Sequence, residues 1–396
     1  MTSGSSTASG SARKSIQLFR NDREAFFARR PNRFLILADP GGTGGEIPCH
    51  CPNPGRLIEF VFPGTKLILE KRENHTDTAK TAWTAAGLYY RDAVVPLYSS
   101  RANRAAQRLI LPEIIPNLTE IKPEHTIGQS RFDFLCVDRD NRQHLVEVKA
   151  CSLVEYGTAM FPDAPSARAA KHLAELAELS ARGFVCHVLF VIVHGNPSVF
   201  IPNLHTDPAF AAAVSRYSDS VHIHAALLKC DSRGTAVLEK SSVPADLSHG
   251  ELAGQDRGNY FIALEIPEKT SIPVGALGIL EFEKGWYVYA GSAQKNLSRR
   301  IARHLRKVRK QKHWHLDYLT PEAKTIKAFP VCSYRNLECV MAEELRRLGG
   351  IPVSGFGCSD CRCGSHLYRF SAPPLSNRGF VDMLLRLRHR DGLQRP

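Results

Sequence analysis

No stretch of the 396 residues approaches the ~18 consecutive apolar side chains that a membrane-crossing helix needs, so no membrane is expected as a partner. An apolar signal-peptide core is missing as well. Residues 1–14 are rich in Ser, Gly, Ala and Thr, which predicts a disordered tail over 1–16 and, without an export signal, a cytoplasmic setting. The eleven cysteines are odd in number and scattered, which argues against a disulfide framework and for reduced thiols. Internal repeats are lacking, so the units of the chain are expected to be different folds. Acidic residues are few relative to basic ones: 39 Asp and Glu stand against 52 Lys and Arg, a net charge of +13. Residues 257–396 hold 24 basic and 12 acidic side chains, and residues 1–256 hold 28 and 27. The positive field therefore belongs to the C-terminal third, and a polyanion is its natural partner.

Hydrophobic residues at 43% and charged residues at 23% suit a globular chain, long enough for two or three domains. Residues 33–40, 65–71 and 88–98 read as short strands between Gly, Pro and Asn turns, a small all-β module over 17–98. A helix is expected over 99–113. Strands at 131–137 and 144–150 form a hairpin; a helix over 166–182 ends at Gly183, and an apolar strand follows at 186–194. Strand, helix and strand in that order predict an α/β domain over 99–240. Residues 241–256 are polar and predict a linker, 257–372 a second α/β unit, and 373–396 a basic tail that either packs as a helix or touches nucleic acid.

The densest chemistry lies at a strand-to-helix junction. An alternating run, Trp286 to Ala290, ends at Gly291-Ser292, and a helix then carries Arg299, Arg300, Arg303 and His304. Together with Gly258-Asn259-Tyr260, Tyr287-Val288-Tyr289-Ala290-Gly291 and Asn296-Leu297-x-x-Arg300-x-x-x-His304, it resembles the GIY-YIG nuclease family over about 258–370. It is similar to the subfamily that also carries Trp314-His315-x-Asp317-Tyr318 and Cys361-x-Cys363-x-Ser365-His366. The resemblance implies that one of Tyr260 and Tyr289 is a general base, that Arg300 grips phosphate, that His304 is a site histidine, and that Glu338 is the single carboxylate holding a divalent metal. One carboxylate with waters and a phosphate oxygen is how Mg2+ (or Mn2+) is usually held. Taken singly, the tyrosines also suit sheet packing and Glu338 a surface charge. From Arg299 to Lys312 there are eight Lys and Arg, and helical spacing puts Arg299, Arg303, Arg306 and Lys310 on one face, with Arg300, His304, Lys307 and Gln311 on the next. Such a run either is solvated or tracks a phosphate backbone. Cys358, Cys361, Cys363 and His366 have zinc-ligand chemistry, with core-packed thiols as the alternative.

In the α/β domain expected over 99–240, Asp133, Glu147 and Lys149 follow a D…E-x-K pattern. Glu147 and Lys149 share one strand face, and hairpin pairing brings Asp133 within reach of it. Two carboxylates and a lysine so placed can hold Mg2+ and orient a water; a structural Glu147–Lys149 ion pair is the alternative. His50-Cys51-Pro52-Asn53-Pro54-Gly55, Ser130-Arg131-Phe132-Asp133-Phe134, Glu147-Val148-Lys149 and Phe161-Pro162-Asp163-Ala164, with Arg168 and Lys171-His172-Leu173, resemble the sugar fermentation stimulation protein (SfsA) family over about 17–240. That resemblance implies an OB-like β-barrel, a PD-(D/E)XK-like domain and nucleic-acid binding. Where the family tends to carry a helical glutamate, this chain has Gln107 and Arg108. Tyr89 and Tyr90 offer faces for stacking bases or for core packing.

The expected architecture is a multidomain α/β chain: an OB-like barrel, a PD-(D/E)XK-like domain and a GIY-YIG-like domain. The expected function is metal-dependent cleavage of DNA or RNA, without a small-molecule cofactor. The alternatives are a DNA-binding regulatory protein in which one or both centres do not cleave, and an RNA-processing factor.

Overall fold

In a computed structural model the chain is described over residues 14–42, 44–73, 81–308 and 311–389. The first unit is a sheet in the order Ile47–His50, Leu35–Asp39, Arg23–Asn32, Lys66–Lys71, Trp83–Tyr90, Ala93–Pro96. Ile47–His50 also pairs in parallel with Trp83–Tyr90, Cys49 opposite Trp83, which closes five of the strands into a barrel. Alternate side chains such as Ala25 and Phe27, and Ile36 and Ala38, fill it. The strand expected over 88–98 is instead two, because Arg91 takes a left-handed φ of 53° and the chain reverses into a hairpin. Tyr90 is core: its ring meets Phe60 edge-on at 4.9 Å between centroids.

The second unit is a seven-stranded sheet in the order Ser15–Gln17, Thr235–Lys240, Val221–Cys230, Val185–Ile192, Gln143–Cys151, Ser130–Asp138, Leu118–Ile127. Its three middle strands are parallel, and the helix Ala167–Ser180 crosses between two of them, started by Ser166, whose side chain accepts from the Ala169 N–H. Of the tail expected over 1–16, Ser15 and Ile16 are instead paired in the sheet with Val237 and Ala236, and residues 1–13 lie outside the described residues. The helical run at 99–114 contains a π-turn at Ala106–Ile110, which includes Gln107. The stretch 241–256 is not an open linker. Val243 is buried in the second unit's core, Ala245 bridges to Phe200, and Gly250–Gly254 is helical.

The third unit is an antiparallel sheet in the order Thr325–Cys332, Gly258–Ile266, Gly285–Ala293, Leu367–Phe370, Ile351–Pro352. Both of its faces are buried, so its central strands alternate between two cores. Tyr260, Ile262 and Leu264 point to one, with the helix Leu297–Leu305; Phe261 and Ala263 point to the other, against the helices Glu338–Arg347 and Arg378–Leu387. Over its described residues, 373–389, the expected basic tail is therefore part of this fold, since Phe380, Met383 and Leu384 are core; residues 390–396 lie outside the described residues. The first of these cores also takes in Phe62, Met160, Ile201 and Leu204 from the first two units. At that junction His205, fully buried, accepts from the Cys332 N–H at 2.9 Å and donates through Nε2 to the Arg388 carbonyl at 2.9 Å. No described helix is long and apolar enough to cross a membrane.

Candidate active sites

In the third unit, Tyr260 stands opposite Gly291 and Ile262 opposite Tyr289, so the two tyrosines are diagonal neighbours on one face, 6.4 Å between ring centroids. Gly291 is required by this approach: a Cβ there would lie 2.6 Å from the Tyr260 ring. The helix Leu297–Leu305 starts at Asp256, whose carboxylate accepts from the Ser298 N–H and hydroxyl. That start aims Arg300 and His304 back at the tyrosines. Asn259, fully buried, accepts from the Leu337 N–H at 2.8 Å and donates to the Arg335 carbonyl at 3.0 Å. The middle residue of the Gly-Asn-Tyr motif thus fixes the loop that delivers Glu338.

These placements converge on a cavity of roughly 420 Å³ lined by Tyr260, Tyr289, Arg300, His304 and Glu338, with Ser292 and Trp314 beside them. The Tyr260 hydroxyl lies 3.0 Å from His304 Nε2, and His304 Nδ1 faces the buried Asp317 carboxylate at 3.7 Å. A tautomer with its proton on Nδ1 leaves Nε2 to accept from Tyr260. Burial pushes both phenols up, against the pull of the Arg300 guanidinium, so they are neutral in the resting site. Arg300 lies over the Trp314 ring at 4.6 Å, which holds its planar group at the cavity edge. Glu338 accepts from the Ser292 hydroxyl at 2.6 Å on one oxygen and meets His366 Nδ1 at 3.0 Å on the other. Each carboxylate oxygen has a further lone pair. This donor chemistry, one carboxylate open to a polar cavity, fits a hard divalent cation.

The basic run departs from expectation. The helix ends at Leu305, and Arg306 is extended at ψ 127°, so the two helical faces do not continue to Lys310 and Gln311. Arg303 is bound to Asp317 Oδ2 at 2.5 Å, and Lys307 donates to the carbonyls of Ala323 and Lys324. Those partners occupy two of the expected phosphate contacts within the protein. Arg299 and Arg306 are exposed, and Lys310 lies outside the described residues. The thiol set also differs. The donors that cluster are Cys339, Cys361, Cys363 and His366, all within 4.8 Å of one another, and Cys358 is not among them. Cys339 carried no local signal, because its partners stand more than twenty residues further on.

In the second unit, Asp133 on the strand Ser130–Asp138 meets Glu147 and Lys149 on Gln143–Cys151. Asp133 accepts from the Asn103 side chain at 2.7 Å and from the Val148 N–H at 2.7 Å. Glu147 Oε1 takes both the Lys149 ammonium and His172 Nδ1, the latter at 2.8 Å. His172 was visible only as part of a motif; its role comes from the helix that crosses over the sheet. Burial works against the Glu147 charge, yet His172 and Lys149 outweigh it and hold the carboxyl below the usual range. Burial, with the nearby Glu147 charge, raises Asp133. Glu147 Oε2 is buried without a hydrogen-bond partner among the described residues. A buried, unsatisfied carboxylate oxygen beside a second carboxylate fits a divalent cation, which would satisfy both. Gln107 stands on the π-turn that follows Asn103 in the same helical run, and Asn103 is the residue of that run that bonds Asp133.

A closed OB-type barrel, an α/β domain with a D…E-x-K cluster and a GIY-YIG-like α/β domain define the class: a multidomain α/β protein built from three distinct modules. Residues 28–97 match the SfsA N-terminal OB domain, 100–234 the sugar fermentation stimulation protein RE domain, and 259–388 a domain of unknown function, DUF123. A sugar fermentation stimulation protein homolog of Pyrobaculum neutrophilum is 35% identical over 228 residues, 57% of this chain and 94% of that protein. One from Clostridium botulinum is 37% identical over 199 residues, 49% of this chain and 84% of that protein. The solved structure of Pyrococcus furiosus SfsA in complex with Ca2+ is similar at a TM-score of 0.51 and 26% identity, covering 58% of this chain and 99% of that one. The chain belongs to the sugar fermentation stimulation protein (SfsA) family and carries a GIY-YIG-like DUF123 domain C-terminal to the family's own two domains.

Proposed function

We propose that this protein binds DNA or RNA and hydrolyses its phosphodiester bonds with the help of a divalent metal, with the principal centre in the third unit. The observation that carries this reading is the single cavity uniting Tyr260, Arg300, His304 and Glu338. Tyr260 takes a proton from the attacking water while its own hydroxyl proton passes to His304 Nε2, 3.0 Å away. Asp317 stabilises the imidazolium that forms. Arg300, braced on Trp314, grips the phosphate, and the neutral Tyr289 donates a hydrogen bond to it. Glu338 would hold Mg2+ or Mn2+, which would supply charge neutralisation for the departing oxygen. The excess of basic side chains in the third unit and the OB domain of the first support a nucleic acid as substrate.

The Asp133–Glu147–Lys149 cluster is a second candidate centre. In favour of metal there stand the unsatisfied Glu147 oxygen and the Ca2+ bound by the Pyrococcus furiosus relative. Lys149 and His172 both clamp the other Glu147 oxygen, which supports a second reading in which this unit binds nucleic acid without cutting it. Mg2+-dependent cleavage of single- and double-stranded DNA and RNA, by wild type and by Glu147→Ala and Glu338→Ala, tests both. Loss of cutting in Glu338→Ala alone makes the first two units a targeting module. No cutting of any substrate by wild type, with binding intact, overturns the nuclease reading in favour of a regulatory binding protein.

A further inference from the structure

Three thiols and an imidazole from two separate parts of the third unit meet behind Glu338. Cys339 follows Glu338 at the start of the helix Glu338–Arg347, and Cys361, Cys363 and His366 come from the loop before the strand Leu367–Phe370. Their donor atoms all lie within 4.8 Å of one another, and Cys361 Sγ stands 3.4 Å from His366 Nε2. A tetrahedral zinc with bonds of about 2.0–2.3 Å sets its ligand atoms roughly 3.5–3.8 Å apart, so little inward movement closes this set. The backbone already shapes the loop: the Gly355 N–H donates to the Gly364 carbonyl at 2.9 Å, and the His366 N–H to the Phe356 carbonyl at 2.8 Å. All three thiols are free.

His366 uses its two nitrogens differently. Nε2 faces the thiols, and Nδ1 faces Glu338 Oε1 at 3.0 Å. That is the arrangement in which a metal-bound histidine donates its other N–H to a carboxylate. We propose that Cys339, Cys361, Cys363 and His366 bind a structural zinc ion, and that His366, fixed by this ion, positions the Glu338 carboxylate at the cavity. The four protein ligands close the coordination sphere, so this zinc holds no open position for a substrate. Its thiolates form as zinc displaces their protons. Among the described residues Ser292 is the other side chain that bonds the Glu338 carboxylate, so losing the zinc frees His366 and, with it, one of the two groups that orient the carboxylate. The link to turnover rests on the nuclease reading above; the zinc itself does not.

Elemental analysis of the purified full chain after zinc loading and gel filtration tests the site. About one zinc per chain is expected, retained in Cys358→Ser and lost in Cys339→Ser and Cys363→Ser. Zinc retained in Cys339→Ser but lost in Cys358→Ser overturns the assignment, and so does wild type that takes up none. Because a cysteine variant can misfold, Co2+ is also titrated into metal-free wild type. Intense visible bands of a tetrahedral thiolate site, saturating at one equivalent, are expected; weak octahedral bands overturn it. Positioning is read from Mn2+ binding by wild type and Cys363→Ser. Roughly 10–100-fold weaker Mn2+ binding at the Glu338 site is expected in the variant, with binding in Glu338→Ala/Cys363→Ser unchanged from Glu338→Ala alone. Equal Mn2+ affinity with and without zinc overturns the positioning role. These readouts do not depend on cleavage, so a failed nuclease assay leaves them standing.

Discussion

Adding one methyl group at Gly291 should separate folding from chemistry. The Cβ of Gly291→Ala would lie 2.6 Å from both the Cζ and the hydroxyl of Tyr260, against 3.4 Å or more for ordinary contact, so the ring must retreat by roughly 0.8 Å. Tyr260 is almost fully buried and packed in a core, so the retreat costs about 1–3 kcal/mol of stability, as overpacking does. The same displacement stretches the 3.0 Å contact to His304 out of hydrogen-bond range. A misplacement of that size in a reacting group lowers turnover by about 100-fold, or about 2.7 kcal/mol of barrier. Gly254→Ala is the control, because a Cβ there meets nothing within 4 Å. Mg2+-dependent cleavage is measured beside thermal and urea unfolding for both variants. Gly291→Ala should melt lower and cut about 100-fold more slowly, and Gly254→Ala should match wild type in both. A well-folded Gly291→Ala that cuts within twofold of wild type would refute the assigned role of Tyr260.

Ca2+ or Mn2+ at 100 times its Kd should stabilise wild type by about 2.7 kcal/mol through the Asp133–Glu147 cluster, and a calorimetric titration should show that binding lost in Glu147→Gln. Arg303→Ala and Arg299→Ala should diverge. The former removes the guanidinium from buried Asp317 and costs about 2–3 kcal/mol in urea unfolding. The latter leaves stability within about 0.5 kcal/mol but flattens the salt dependence of nucleic-acid binding by about one contact; equal effects on both assays would contradict the assignment. His205 gives the pH dependence. Burial, with the nearby Arg388, lowers it to about 3, while the unfolded chain titrates near 6.5. The unfolded state therefore binds the extra proton between those values, so this contribution is complete above pH 6.5 and is lost as pH falls toward 3. Between pH 6 and 4, wild-type stability should fall more steeply than that of His205→Gln, by about 1.4 kcal/mol per pH unit; parallel curves would rule this out.

The parts of the fold that were legible in the sequence share one property: their signal is local. The alternating run Trp286–Ala290 marked a central strand, and Gly183 marked the end of the crossover helix. The hairpin that joins Asp133 to Glu147 followed from two apolar runs around a polar turn. Errors arose where local pattern and tertiary demand part company. Helical spacing extended the basic run past Leu305, but Lys307 caps the carbonyls of Ala323 and Lys324, and the chain turns away. Polar composition made 241–256 a linker, yet Val243 is buried. The basic end looked like a tail, though Phe380 and Leu384 cover a sheet face.

By itself the sequence determined which residues face together along a strand or a helical turn, because backbone sterics impose those periods without reference to the rest of the chain. Tyr260, Tyr289, Arg300 and His304 were singled out by the motifs that resemble the GIY-YIG family. Only the tertiary structure decided which charged groups already have partners and which donors converge. Arg303 is taken by Asp317 and Lys149 by Glu147, while Cys339 joins Cys361, Cys363 and His366 in place of Cys358. Such pairings depend on how whole elements pack over a shared core, where burying a charge or a thiol demands a partner that can stand anywhere along the chain.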